Sequence, residues 1–367
     1  LATRRTIAFF VFLLKLYPAK VVTNGERGLM KYIIKRILLM LMTLFIIMTI
    51  SFVLIKMLQP EVPATGAAVE TEMARRRALG YDKPILVQYG IYLRNILTKW
   101  DWGTSWKIDY LSDATEVLFS RMAPTLIVNI YAFIISVPLG ILFGIYAALK
   151  KNKWQDYLIS TGVMIFVSVP SFVYAFLLQY FFYYKLGWFP STVSSLYDVG
   201  IKMGLGQSEV TAMLASGDTL RLWLSWPMFV SMVLPVMALS FGTIAGLARF
   251  TRAELTEVLT SDFMLLARAK GLTRAQATIR HALKNAMVPI FPMIISEFIL
   301  IMSGSLVIEQ IFGIPGVGKL YLQSINLLDY DVFLFVSMFY TFIGLVGSLV
   351  IDMSYGIIDP RIRMGER

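Results

Sequence analysis

Residues 261–289 read SDFMLLARAKGLTRAQATIRHALKNAMVP and lie between two long apolar runs. The first part, 262–270, has the pattern of a short helix. Ser261 or Asp262 is available as N-cap, Arg268 and Lys270 stand in the last turn, and Gly271 follows where a left-handed residue closes a helix. Thr273 and Gln276 have capping-box spacing, so a second helix starts at once, carries His281 and Lys284, and meets Pro289 inside the next apolar run. A basic helix–glycine–helix element between two apolar segments suits a docking role. The competing reading of Arg268, Lys270, Arg274, Arg280 and Lys284 is a solvated face beside anionic lipid.

The rest of the chain sets this element in a membrane. Hydrophobic residues make up 57% of the 367, and charged ones 16%, against roughly 25% in soluble domains. Mean hydropathy is +0.69. With 0 Cys and 1 His there is no disulfide and little from which to build a metal cage. The net charge of +11 does not point to nucleic acid, because the Lys and Arg residues flank apolar runs, as they do on the cytoplasmic side of membrane proteins.

Six runs are long enough to cross a bilayer, at about 33–58, 125–149, 157–184, 227–248, 286–308 and 332–355. The basic turn Lys150, Lys151, Lys153 and the basic tail Arg361, Arg363, Arg367 place both termini in the cytoplasm. The expected fold class is therefore all-α, a multi-pass membrane protein of six transmembrane helices. Its parts are an N-terminal extension 1–29, a first span 30–58, an external segment 59–121 with a helix near 84–100, and a core 122–367 whose cytoplasmic loop is 249–285. Within 1–29, Arg4-Arg5 and the apolar stretch 7–14 resemble a signal-peptide start but are short for a span. Gly25-Glu26 fits a ribosome-binding site read through, so translation from Met30 is expected, with an interfacial amphipathic helix as the competitor.

Single residues inside the runs need weighing. Charges within spans are costly and are functional candidates by default. Glu297, with Ser303 and Ser305 after it, either lines a translocation path or serves a structural pairing. Asp352 is within reach of Arg361 or of a helix N-terminus, and His281 reads as a plain polar contact. Pro138, Pro170, Pro235 and Pro292 read as kinked packing, with a gating hinge as the sharper alternative. The stretch GIPGVGKL, 313–320, matches a phosphate-cradling P-loop up to its last position, where Leu320 cannot hold magnesium and no nucleotide domain surrounds it. It is expected to turn the chain at the external surface, with Lys319, Asp329 and Asp331 facing water.

ARAKGL at 267–272 and RHALKNAMVP at 280–289 together resemble the cytoplasmic signature loop of ABC-importer permeases. The Gly and Pro of that loop are matched by Gly271 and Pro289, whereas its Glu-Ala-Ala is replaced by Leu265, Leu266 and Ala267. MKYIIKRIL at 30–38, IEQIFGIPGVGKL at 308–320 and YGIIDPRIRMG at 355–365 are similar to the dipeptide and oligopeptide branch, which also includes nickel permeases. The resemblance implies a MetI-like permease fold in a bacterial inner membrane, surrounded by lipid. It implies a second homologous permease, cytoplasmic ATPase subunits that use ATP and magnesium, and an external peptide-binding protein. By the same resemblance the chain is not itself an enzyme and binds no cofactor or nucleic acid. Ala267, Arg268, Ala269, Lys270, Gly271 and Leu272 would make the coupling contact, and His281, Asn285 and Pro289 would anchor its return to the membrane. Few His and no Cys favour peptide over nickel as solute. A secondary transporter, the rival from another class, should show inverted repeats, and none is visible.

Overall fold

The computed structural model describes residues 25–58, 73–74, 77 and 83–358. Most of the 1–29 extension and Arg361 lie outside the described residues. In chain order the helices are α1 (Gly25–Leu58), α2 (Ile85–Lys99), α3 (Ala114–Ser120), α4 (Met122–Leu149), α5 (Trp154–Ser168), α6 (Ser171–Leu178, continued by a π-helical turn Gln179–Lys185), α7 (Leu196–Lys202), α8 (Gln207–Ser216) and α9 (Leu220–Trp223). They are followed by α10 (Trp226–Leu259), α11 (Asp262–Ala269), α12 (Arg274–Ala277, continued by a π-helical turn Thr278–Ala282), α13 (Leu283–Leu300), α14 (Leu306–Ile311), α15 (Val317–Asn326) and α16 (Tyr330–Ile358).

Five stretches are long and apolar enough to cross a membrane: Ile33–Met57, Ala114–Leu149, Trp226–Leu259, Ala275–Leu300 and Tyr330–Ser354. A sixth, Trp154–Ser168 with Ser171–Lys185, is bent by 105°. The third expected span is thus a broken helix. Pro170 has no N–H to give and forces Val169 into extended backbone (φ −86°, ψ 127°), so the helical ladder stops there. Pro138, Pro235 and Pro292 instead sit inside continuous helices. The fifth span also differs from expectation. Its helix ends at Leu300 and not near 308, and the chain turns through Gly304 at φ +64° before α14 begins.

The centre of the bundle is the pair α4 and α10. It closes because two glycines one turn apart on α4 leave no side chain between the helices. A Cβ at Gly140 would stand 2.8 Å from Leu247 Cβ, and one at Gly144 2.7 Å from the carbonyl of Ala248. Small residues at four-residue spacing are a common way for membrane helices to approach, since lipid offers no hydrophobic penalty to drive them together. Around this seam Met228, Met232 and Leu234 of α10 pack with Val128 of α4, Tyr174 of α6, and Ile308, Phe312 and Ile314 of the α14 region. The helix expected near 84–100 is present as α2. It leans on α1 through Thr49 and Tyr89, whose hydroxyls are 2.6 Å apart, and through the Phe52 and Tyr92 rings, tilted by 31° with centroids 5.0 Å apart. Asp352 of α16 pairs with Arg36 of α1 at 2.9 Å, where sequence pointed to Arg361 or a helix N-terminus.

Candidate functional site

The element at 261–285 is built much as its caps dictate. Ser261 occupies the N-cap of α11, though its hydroxyl donates back to the carbonyl of Val258. Gly271 adopts φ +86°, the left-handed conformation that a Cβ disfavours. The capping box is reciprocal. The Thr273 N–H donates to Gln276 Oε1 at 3.1 Å, and the Gln276 N–H donates to Thr273 Oγ1 at 3.3 Å. From there α12, its π turn and α13 run on as one helical path to Leu300, so the return into the membrane is continuous through Pro289.

Packing sorts the residues of this element into two faces. Met264 and Ala267, with Leu272 beside them, pack on Leu255 and Val258 of α10 and Ala148 of α4. The opposite face carries Phe263, Leu265 and Leu266, the leucines 61% and 57% exposed. Arg268, Ala269, Lys270, Gly271, His281 and Asn285 are also exposed, and Pro289 is half-buried. An eight-residue helix holds no conformation on its own. Here one face is anchored on the bundle, which leaves an apolar surface with a basic rim unoccupied within this chain.

Beneath this element a charge pair ties α5 to α10. The buried carboxylate of Asp156 accepts from Arg252 Nε at 2.5 Å and Nη2 at 2.8 Å, and from the Asn152 N–H at 3.0 Å. The pair joins residues 96 positions apart and has no local signature in the sequence. All that the sequence offers is an acidic residue at the start of one apolar run and an arginine near the end of another.

Halfway along the bundle, a cleft of about 200 Å³ opens between α4, α10 and α13. Asn129, Ser136, Thr243, Glu297 and Ser303 supply its polar lining. Glu297 lies in the last turn of α13 and accepts from Thr243 Oγ1 at 3.2 Å. The structure brings Glu297 and Ser303 together, whereas Ser305 caps α14, accepting from the Ile308 N–H at 3.3 Å.

The far end of the bundle is pinned by two buried carboxylates that were not legible as such. Glu309 accepts from Thr125 Oγ1 at 2.9 Å and from the Lys319 N–H at 2.9 Å, while Thr125 Oγ1 accepts from the Val317 N–H at 2.8 Å. A Cβ at Gly316 would collide with Thr125 and Glu309, and one at Gly318 with the Ser305 backbone beside Glu309, which is why glycines stand there. The P-loop likeness of 313–320 therefore has a physical origin. Amides at a helix N-terminus do cradle an anion, and the anion is the chain's own carboxylate. Burial pushes the Glu309 carboxyl above the ordinary carboxylate range, while bonds from Lys319 and Gly318 amides and Thr125 pull the other way. Asp329 is the second such group. Its Oδ2 accepts from Ser105 Oγ at 2.6 Å and from the N–H groups of Trp106, Lys107 and Ile108 at 3.1, 3.0 and 3.1 Å. Asp331 takes the Thr104 N–H at 3.2 Å. The expectation that Lys319, Asp329 and Asp331 face water is thus corrected. Asp329 is 1% exposed and Asp331 is half-buried, because the loop at 103–108 folds over them, whereas Lys319 stays partly exposed. Among the described residues no three His, Cys, Asp or Glu side chains cluster so as to hold a metal ion.

Comparison with known proteins agrees with this architecture. Residues 140–364 match the family described as "Binding-protein-dependent transport system inner membrane component", and residues 29–109 match its N-terminal companion. A dipeptide transport system permease protein of Bacillus subtilis is 33% identical over 341 residues, covering 92% of this chain and 99% of that protein. An oligopeptide transport system permease protein of Haemophilus influenzae is 34% identical over 91% of this chain and 100% of its own length. A glutathione transport system permease protein of Escherichia coli K12 is 31% identical over 91% of this chain and 99% of its own. With most of its length matched, this multi-pass chain belongs to the inner-membrane permease family of binding-protein-dependent ABC importers.

Proposed function

We propose that this chain is one of two permease subunits of an ATP-driven importer for short peptides. Its relatives are named for dipeptides, oligopeptides and glutathione, which supports peptide over nickel as the solute. The energy comes from partner ATPases that hold ATP and magnesium, because the one phosphate-like loop here is filled by Glu309. α11 is the handle those ATPases grip, on the cytoplasmic side where the basic flanks belong. An external binding protein delivers the peptide to the opposite end. Movement of the handle rocks the spans between outward- and inward-open states around a path shared with the second permease. Glu297 and Ser303 face that path.

The observation that carries this reading is the exposed apolar face of α11 at Phe263, Leu265 and Leu266, anchored from behind by Met264 and Ala267. Leu265→Asp with Leu266→Asp tests it, since both side chains are more than half exposed and the change costs the isolated subunit little. The variant should reach the membrane at the normal level, lose co-purification of the ATPases, and lose peptide uptake. Normal uptake by this variant would overturn the reading.

A further inference from the structure

The cleft holding Glu297 has a chemistry that the coupling mechanism does not use. Its carboxylate has one hydrogen-bond donor, Thr243 Oγ1, and that donor is neutral. Among the described residues no Lys or Arg forms an ion pair with it; Arg36, Arg121 and Arg252 instead pair with Asp352, Asp109 and Asp156. Glu297 also stands in the last turn of α13, where aligned peptide dipoles add partial negative charge to that of the carboxylate. The neighbouring Ser136 and Ser303 hydroxyls can accept hydrogen bonds as well. An intramembrane carboxylate without a countercharge is expensive to keep. One that borders a cleft of about 200 Å³ becomes affordable when a mobile cation completes it.

We propose that Glu297, Thr243 and Ser303 form a transient site for the terminal ammonium group of the passing peptide. The inference rests on the peptide-importer reading above and deepens it. An α-amino group, with a pKa of about 8, is largely protonated at neutral pH and carries three donors. A lone carboxylate with neutral hydroxyls beside it matches those donors and lets the ion leave again. A divalent metal ion needs several charged or strongly coordinating ligands, and this cleft has one carboxylate and no His or Cys. Every unblocked peptide presents the same ammonium whatever its side chains, so the site recognises peptides as a class. Phe133, packed edge-to-face with Phe298 at 5.9 Å, walls the cleft on one side and limits the water around the pair.

The absence of cysteine from the chain makes the test direct, because Ser303→Cys places a single thiol in the cleft. The permease is assembled with its partners in vesicles, and the thiol is reacted with a cationic and an anionic methanethiosulfonate of similar size. The cationic reagent should react faster by about tenfold or more, as charged clefts concentrate counter-ions by such factors. Adding Glu297→Gln should bring the ratio close to one. Trialanine should protect the thiol, and N-acetyl-trialanine should not. A charge-blind thiol with Glu297 in place, or equal protection by the two peptides, overturns the proposal. So does protection by nickel(II) alone. Co-purified ATPases and peptide uptake by the unmodified complex report separately on the importer reading. A complex that assembles and transports with a charge-blind cleft refutes the ammonium site alone; failure of the unmodified chain to assemble with ATPases refutes the importer reading.

Discussion

Asp329 gives the sharpest quantitative expectation. One oxygen, Oδ2, accepts four hydrogen bonds from residues more than two hundred positions away in sequence, and the residue is 1% exposed. Asp329→Ala leaves the Ser105 hydroxyl and three consecutive amides without an acceptor. At the low end of about 1 kcal/mol for each unsatisfied buried donor, the loss is about 4 kcal/mol. Asp329→Asn keeps an oxygen in place but removes its charge. Charge-assisted bonds are roughly twice as strong as neutral ones, so the loss is about 2 kcal/mol. Lys107, exposed in the middle of the pinned loop, provides the assay. Cleavage there by trypsin follows the population of the open loop when reclosing is fast. The purified chain should be cut about 30-fold faster in the Asn variant and up to about 1,000-fold faster in the Ala variant, at tenfold per 1.4 kcal/mol. Wild-type cleavage rates in Asp329→Ala would show that the loop is held by something other than this carboxylate.

Three further outcomes follow from the same geometry. Asp156→Ala removes the partner of a guanidinium that is still a third exposed and should lower stability by about 1–2 kcal/mol, below the cost for a fully buried pair; a thermal-melt double-mutant cycle with Arg252→Met should recover much of the loss, and strict additivity would rule the pairing out. For Glu309 the folded carboxyl titrates above its ordinary 4.5, so the folded state holds its proton more tightly than the unfolded chain does. Its stabilising contribution is complete below that ordinary value and is lost as pH rises through the folded one; the melting temperature relative to Glu309→Gln should therefore rise on acidification, and a difference independent of pH would refute the assignment. At Gly271 a Cβ meets nothing within 4 Å, so Ala and Trp share only the left-handed backbone cost of about 1–2 kcal/mol. Gly271→Trp should abolish substrate-stimulated ATPase activity while Gly271→Ala keeps most of it; normal stimulation in the Trp complex would remove this residue from the coupling contact.

Much of the handle was readable because its determinants are local. The Thr273–Gln276 capping box and the left-handed Gly271 depend only on neighbours in sequence, and both form as their spacing dictates. Hydropathy located the spans for a similar reason: twenty apolar residues have few other places to go. It failed where the ends are set by tertiary structure. Residues 301–304 are apolar enough to extend a span, yet Gly304 turns the chain so that Glu309 can reach Thr125 and the 318–319 amides. That same turn moves Ser303 into the cleft and Ser305 out of it. The burial of Asp329 and Asp331 was not legible, because an acidic residue in a polar stretch gives no local sign of the amides that will fold over it. Pro170 marks a break in the helix, but the 105° of its bend depends on what the two half-helices pack against.

On the proposed function, force reaches this subunit through α11 from an ATPase made elsewhere. Leu265→Cys puts one thiol in the chain, on the exposed face of that helix. In native vesicles, a short bifunctional reagent should join it to an ATPase subunit, with a yield that changes when ATP is added. A cysteine at Leu86, 83% exposed on α2, should give no such product. Active peptide uptake from vesicles in which Leu265→Cys cross-links to no ATPase, or does so no better than Leu86→Cys, would contradict the account.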